Sequence, residues 1–447
     1  MRGPNKDRHA ERPLTTRLGL ALSGGGSRAA AFHRGTVQGL VDVGLLEPVA
    51  VVSCVSGGAL FGAAWMASRW KGRDTATFLG DLAAELERGF VGRSIRPRAI
   101  RVFLPQYTLA NVLAETFDGT LVHGMRLKDL PERPALCLNT SVMNTAQVGK
   151  FSREGFSSTG LSADQVGAGS NPVVAMPEFR VALAAVASAA FPVGLPPVYL
   201  RIGREIPLSA VGPHLAEHGA LALADGGILE NLGVQTLLKS RRHGTWDVIV
   251  SDAGRKDETW RPGGIARLLR GMLMGALGMP VMERVAMMMS SKQDRHMRLA
   301  AFGELEHSWL VDAIRTSTRS VGLGEYLSGE PGAPRRRMMF VRLAQTLGDL
   351  VRNIPSWRMK ELTGRRAPKG DAPVTATILV RDHGLDLGPA LKLHEEMGGD
   401  ARVQQLNQVA TNFTALPRRD IEDLFTHARW QVRAMHALYW NRDPEEP

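Results

Sequence analysis

Residues Arg17–Trp70, RLGLALSGGGSRAAAFHRGTVQGLVDVGLLEPVAVVSCVSGGALFGAAWMASRW, hold two strand-turn-helix units in direct succession. Leu18–Leu22 is a short apolar run that stops at Ser23 and the triple glycine Gly24, Gly25 and Gly26, after which Ala29–Val43 takes helical spacing. Val49–Val52 is a second apolar, β-branched run. It ends in Ser53-Cys54-Val55-Ser56-Gly57-Gly58 and leads into a helix-forming segment, Ala59–Trp70. One unit offers backbone N–H donors and the other a hydroxyl.

That pairing suits acyl-ester chemistry. A serine on a sharp strand-to-helix turn projects its hydroxyl clear of the sheet, and the helix N-terminus behind it favours developing negative charge. The turn is strained, so it needs small neighbours, which Gly57 and Gly58 supply. N–H groups of the first glycine turn can form an oxyanion hole, each donor contributing roughly 3 kcal/mol to the transition state. The pattern C-V-S-G-G departs from strict G-x-S-x-G at Cys54.

A serine hydroxyl needs a base. At Leu221–Glu230, LALADGGILE, an apolar run ends in Asp225-Gly226-Gly227, and Leu229–Lys239 beyond it has helical character. Asp225 at that strand end is the preferred base, with Asp252, which ends the apolar run Trp246–Ser251, as the runner-up. Ser188 has no strand-to-helix elbow around it. His383 and His307 are the histidines on late segments, and no motif surrounds either.

The chain resembles the patatin-like phospholipase family. SGGGSR at Ser23–Arg28, SCVSGG at Ser53–Gly58 and ADGG at Ala224–Gly227 occur in the family's order, and VASAAFPVGLPPV at Val186–Val198 is similar to its alanine- and proline-rich segment. The resemblance covers about residues 16–255. It implies a three-layer αβα sandwich with a mostly parallel central sheet, and a Ser-Asp dyad without histidine: Ser56 as nucleophile and Asp225 as base. It further implies oxyanion donors from Gly24, Gly25 and Gly26, with Gly57 assisting, and supporting roles for Gly58, Gly226 and Gly227. Arg28 would steady the glycine turn or a substrate phosphate. Ala29 stands where the family usually has glycine. The implied activity is lipid acyl hydrolysis of the phospholipase A type. Acyl transfer or thioester hydrolysis on the same dyad, and lipid binding without turnover, remain alternatives.

The rest of the chain sets the context. Its 447 residues, 44% hydrophobic, suffice for a sizeable core, and 55 Lys plus Arg against 44 Asp plus Glu give a net charge of +11. That balance suits an anionic membrane surface touched peripherally; no nucleic-acid partner is expected. No His/Cys/Asp cluster has metal-ligand spacing, and SGGGSRA lacks the G-K-[ST] ending of a nucleotide phosphate loop, so no metal or other cofactor is expected. Cys54 and Cys137 make no disulfide framework, residues 1–16 lack the apolar centre of a secretory signal, and no run of 18 apolar residues occurs. A cytoplasmic protein is expected.

Residues 1–15 read as a polar tail, 16–255 as the catalytic domain and 256–447 as a mainly helical region that completes it in part. Residues 74–118 look helical, with Phe78, Leu79, Leu82, Leu86 and Phe90 on one face and a basic cluster, Arg93, Arg96, Arg98 and Arg101, behind them. Ala135–Met143 reads as a buried strand, 152–178 as an irregular loop, and Val181–Ala190 as a small-residue helix. The methionine-rich stretch Ile265–Met289 reads as core, with a lid or membrane-facing helix as its alternative. Met338–Leu343 and Val374–Arg381 are candidate extra strands. Ile421, Leu424, Phe425, Ala428, Val432, Met435 and Tyr439 mark one face of a long amphipathic helix.

Overall fold

The computed structural model describes residues 18–89, 108–158, 161, 172–191, 195–239, 247–254, 338–352, 388–410 and 412–440. The basic cluster at 93–101, Phe90, the methionine-rich stretch, His307, His383, the strand expected at 374–381 and the polar tail all lie outside these residues.

The central sheet runs β10-β9-β1-β2-β3-β4-β5-β6, with β6 (Val173–Val174) at its far edge and β7 (Val198–Arg201) joined to it through β8 (Ala220–Asp225). Its core is parallel: β1 (Leu18–Leu22) lies between β2 (Val49–Val55) and β9 (Asp247–Asp252), β3 (Ala135–Val142) pairs with β2, and β10 (Met338–Arg342) pairs with β9. The strand expected at Met338–Leu343 therefore extends the sheet from the carboxyl-terminal region. Antiparallel strands complete the other side, with β4 (Gln147–Ser152) on β3.

Alternation along the strands builds two cores. Leu18, Leu20, Leu22, Ile249, Met339 and Val341 face the larger one, shared with the helices α1 (Gly26–Asp42) and α2 (Gly57–Trp70). Ala21, Val51, Val248, Val250 and Phe340 face the other, covered by Leu232, Val234 and Leu237. A parallel sheet buried on both faces is the three-layer arrangement that continuous apolar strands require.

Helix α1 is buried along most of its length because a late helix covers it. Helix Arg418–Met435 turns Ile421, Leu424, Ala428, Val432 and Met435 inward, with Phe425 partly buried. The two helices approach closely: a Cβ on Gly39 would lie 2.7 Å from Val432 Cβ, and one on Gly35 would overlap the Phe425 carbonyl. Arg429 joins them through Asp42, at 2.6 and 3.1 Å.

Several boundaries differ from the sequence reading. Both glycine turns feed helices sooner, at Gly26 and Gly57, and β2 continues to Val55 because its pairing with β3 continues to Asn139. Part of the loop expected over 152–178 is a hairpin, β4 with β5 (Gly155–Ser158). Phe151 and Phe156 pair across it with ring centroids 4.9 Å apart, and Phe179 stacks on Phe151 at 5.1 Å. The polar residues between the two phenylalanines form only its tight turn. The helix expected over Leu229–Lys239 begins at Val234, after Gly233 with φ +77°.

One feature of topology places the site. Strand β8 (Ala220–Asp225) is antiparallel to β3, whereas β2 is parallel to it, and both lie along the same β3 strand. Val55 pairs with Asn139, and Asp225 pairs with the next residue, Thr140. The carboxyl ends of β2 and β8 therefore meet head-on.

Candidate active site

Ser56 follows β2 at φ 52°, ψ −118°. A residue with a Cβ persists in such a conformation, at a cost of about 1–3 kcal/mol, only where its surroundings over-determine it. They do so here. The Ser56 N–H donates to Ser188 Oγ at 2.9 Å, and that hydroxyl donates to the Asn139 carbonyl. Asn139 Nδ2 donates in turn to Ser53 Oγ at 2.9 Å and to the Cys54 carbonyl at 3.0 Å. Ser188 thus supports the elbow rather than competing with it.

The glycines behind Ser56 are required by close approach. A Cβ on Gly57 would lie 2.7 Å from Gly26 N and overlap its carbonyl; one on Gly58 would overlap the Leu22 carbonyl. Helix α2 therefore starts in contact with the first glycine turn. The departure at Cys54 is absorbed on the other side of the strand: its fully buried Sγ would lie 2.5 Å from a Cβ on Gly62. Burial pushes its thiol well above the ordinary value, so it stays protonated. Ala29 lies inside α1, where alanine carries no backbone penalty.

Ser56 Oγ donates to Asp225 Oδ2 at 2.7 Å, and each residue is 6% exposed. Gly227 N–H donates to Asp225 Oδ1 at 2.7 Å, the Asp225 N–H donates to the Ala190 carbonyl at 2.9 Å, and Ser141 Oγ donates to the Asp225 carbonyl at 2.8 Å. The aspartate is fixed from three sides, with one carboxylate oxygen left for the serine. A Cβ on Gly226 would overlap the Asn139 carbonyl. Asp252, the alternative base, instead accepts the Gly254 N–H at 2.8 Å within its own turn.

The four expected oxyanion donors separate. The Gly24 N–H is committed to the Asn231 carbonyl at 2.9 Å, which removes it from that role. Gly25 at φ +140° and Gly26 at φ +62° take the positive φ that the turn demands and that glycine tolerates. Arg28 also departs from one expectation: it is 0% exposed, so it does not meet a substrate phosphate. Its guanidinium donates to the carbonyls of Ala253 and Val409, both at 2.8 Å, and so ties the turn to β9 and to the late segment of the chain. Ser27 N–H and Oγ donate to the Asn412 and Thr414 carbonyls at 2.7 and 3.1 Å.

Sequence reasoning missed the groups that hold these parts. Asn139, Thr140 and Ser141 are polar residues inside a buried strand, which is itself a signal. His33 is another: Nε2 donates to the Ser23 carbonyl at 2.9 Å and Nδ1 accepts from Ser251 Oγ at 2.8 Å, bracing the glycine turn from below. Complete burial lowers the His33 pKa from 6.5 to about 4, and burial lowers that of His427, on the late helix, to about 3.

Both imidazoles are neutral in the fold, so their contribution to stability is fully present above pH 6.5. It is lost as pH falls from 6.5 towards 4, because the unfolded chain then binds protons that the folded one refuses. Each is expected to cost roughly 3 kcal/mol by pH 4. Denaturant midpoints measured between pH 7.5 and 4 should fall steeply through that window; a flat profile would contradict neutral burial.

Residues 20–238 match the family model described as patatin-like phospholipase. A search of curated proteins finds no match. Among solved structures, human GIVD cytosolic phospholipase A2 is 13% identical with a TM-score of 0.45, over 96% of this chain and 62% of that one. Its complex with a methyl gamma-linolenyl fluorophosphonate inhibitor and terbium chloride gives 14%, 0.43, 94% and 58%. VipD from Legionella pneumophila gives 14%, 0.27, 94% and 92%. The chain thus spans less than two thirds of the human enzyme's length, and likenesses this distant do not bear on the site.

Proposed function

From the match of residues 20–238 to the patatin-like phospholipase family model, we propose that the chain hydrolyses lipid esters through a Ser56–Asp225 dyad and an acyl-enzyme. The observation that carries this reading is the 2.7 Å hydrogen bond from the strained, buried Ser56 to Asp225. An elbow strained in this way and a carboxylate aimed at it have no use in binding alone.

Asp225 takes the Ser56 proton as Oγ attacks the ester carbonyl carbon. The carbonyl oxygen becomes an oxyanion facing the N–H groups of Gly25, Gly26 and Gly57, aided by the N-terminus of α2. Collapse breaks the bond to the leaving alcohol, which departs with the proton held on Asp225. Water then attacks the acyl-enzyme, Asp225 again accepts the proton, and the fatty acid leaves as Ser56 Oγ takes that proton back.

A lipid substrate also suits the surface beside the dyad. Phe191, 38% exposed, directly follows Ala190, whose carbonyl holds the Asp225 backbone N–H. No helix among the described residues is long and apolar enough to cross a membrane, so we expect the protein to meet lipid from the side, through the anionic-surface contact that its positive charge favours.

Mass spectrometry of products from mixed vesicles of phosphatidylcholine, phosphatidylglycerol and triacylglycerol tests the reading. Fatty acid and lysophospholipid are expected in equal amounts, which is the phospholipase A signature. Acyl chains recovered on an added alcohol would assign transfer instead. No release from any lipid would sink the proposal.

A further inference from the structure

The loop that carries Asp225 presents a second polar group, one that the mechanism above does not use. Asn231 is half-buried, and its backbone carbonyl accepts the Gly24 N–H. Its side chain makes no hydrogen bond to any described residue. The carboxamide lies among three turns at the carboxyl ends of β1, β8 and β9. A Cβ on Gly24 would overlap Asn231 Oδ1 and lie 3.1 Å from Ser56 Cβ. A Cβ on Gly227 would lie 2.7 Å from Asn231 Oδ1 and 2.8 Å from Asp225 Oδ1. A Cβ on Gly254 would lie 3.9 Å from Asn231 Nδ2.

The loop is built to hold that group still. The buried Glu230 carboxylate accepts the N–H groups of Leu232, Gly233 and Gln235, at 2.5, 3.0 and 3.3 Å. Ser53 Oγ donates to the Gly233 carbonyl at 2.7 Å. The Asn231 side chain has no hydrogen-bond partner among the described residues, in a place where a larger residue at position 24 or 227 would displace it. An amide next to both members of the dyad, fixed at its base and unpaired at its tip, has hydrogen bonds to give to something that arrives.

We propose that Asn231 holds the water that hydrolyses the acyl-enzyme; this rests on the Ser56–Asp225 reading. Once Ser56 Oγ carries the acyl group, it no longer donates to Asp225 Oδ2. A water can then donate one hydrogen to the Asp225 carboxylate and the other to Asn231 Oδ1. The separations through Gly227 put Asn231 Oδ1 no farther than about 5.5 Å from Asp225 Oδ1, the neighbour of the Oδ2 that acylation frees, and one bridging water spans about that distance with two hydrogen bonds. With both hydrogens taken, a lone pair faces the acyl carbon. Attack forms the oxygen–carbon bond and passes one proton to Asp225. Collapse breaks the bond to Ser56 Oγ, which recovers that proton, and the fatty acid departs. Acylation needs no such water, so Asn231 acts on the second half of the reaction alone.

The test separates the two halves in Asn231→Ala and in Asn231→Leu, which keeps the volume without the amide. Both leave the backbone carbonyl that anchors Gly24. Expected are labelling of Ser56 by an alkyl fluorophosphonate within twofold of the unmutated rate, and steady-state hydrolysis of a p-nitrophenyl ester reduced at least tenfold. A burst of nitrophenol equal to the enzyme concentration and an acyl adduct on Ser56 in the intact mass should accompany the loss. Hydroxylamine, a nucleophile that needs less assistance, should discharge the adduct. Equal losses in labelling and hydrolysis, unchanged hydrolysis, or failure of both variants to fold by circular dichroism would each make Asn231 a structural residue and overturn the proposal. Failure of the unmutated protein to label at Ser56 overturns the dyad reading instead, so the two failures are distinguishable.

Discussion

Replacing Ser56 with alanine, or Asp225 with asparagine, is expected to lower lipid-ester hydrolysis at least a thousandfold, on the order of what removing a nucleophile or its base costs. Ser56→Ala removes the oxygen proposed to attack but keeps the Ser56 N–H bond to Ser188 that holds the turn. Asp225→Asn keeps the shape and an oxygen for the Gly227 N–H, but an amide does not take a proton from a serine. Neither change opens a cavity, so the circular dichroism spectrum and thermal midpoint should stay close to those of the unmutated protein. Fatty-acid release measured beside the unfolding curve gives the answer. Hydrolysis within tenfold of the original in either variant, with the fold intact, would refute the dyad.

Ending the chain at residue 254 is expected to abolish folding, although residues 20–238 carry the whole family match. The shortened chain would lose β10 from the edge of β9 and the helix whose Ile421, Leu424, Ala428, Val432 and Met435 cover α1. Exposing a buried aliphatic side chain costs about 1.5–3 kcal/mol. Those five residues and their partners on α1 together approach the roughly 5–15 kcal/mol by which a whole domain is stable. The buried Arg28 guanidinium would also lose the Val409 carbonyl, and Ser27 its bonds to Asn412 and Thr414. The shortened protein should be recovered as aggregate, or without a cooperative unfolding transition. A soluble product that unfolds cooperatively would show that the late segments are an attachment and not part of the core.

Much of this architecture is legible locally. An apolar run that breaks at a small-residue turn announces a strand and its end, so β1, β2, β8 and β9 can be read from spacing alone, and Ser56 and Asp225 from the turns at those ends; the antiparallel course of β8 cannot. What is not legible depends on pairing at long range. The Phe151–Phe156 pair makes a hairpin only because both rings reach the same core, and the intervening Ser152-Arg153-Glu154-Gly155 resembles any loop. Ser188 sits in a run of alanines that gives no hint that its hydroxyl caps the Ser56 N–H, 132 residues away in sequence. The Gly24 N–H reads as an oxyanion donor until the Asn231 carbonyl is found to occupy it. The amphipathic stripe around Leu424 is plain in the sequence, but its partner is not: only small residues such as Gly35 and Gly39 on α1 let the two backbones approach.

The meeting of β2 and β8 along β3 makes that third strand a ruler. Ser56 and Asp225 stand at the ends of strands that share no pairing with each other, and their spacing is set by the single step from Asn139 to Thr140. Consecutive residues of a strand advance about 3.4 Å. One residue inserted between Asn139 and Thr140 would therefore draw Ser56 and Asp225 apart by more than a hydrogen bond can span, while leaving both side chains, their glycines and their turns intact. The tolerance of this chemistry to change is thus written in a strand that contributes no reacting atom.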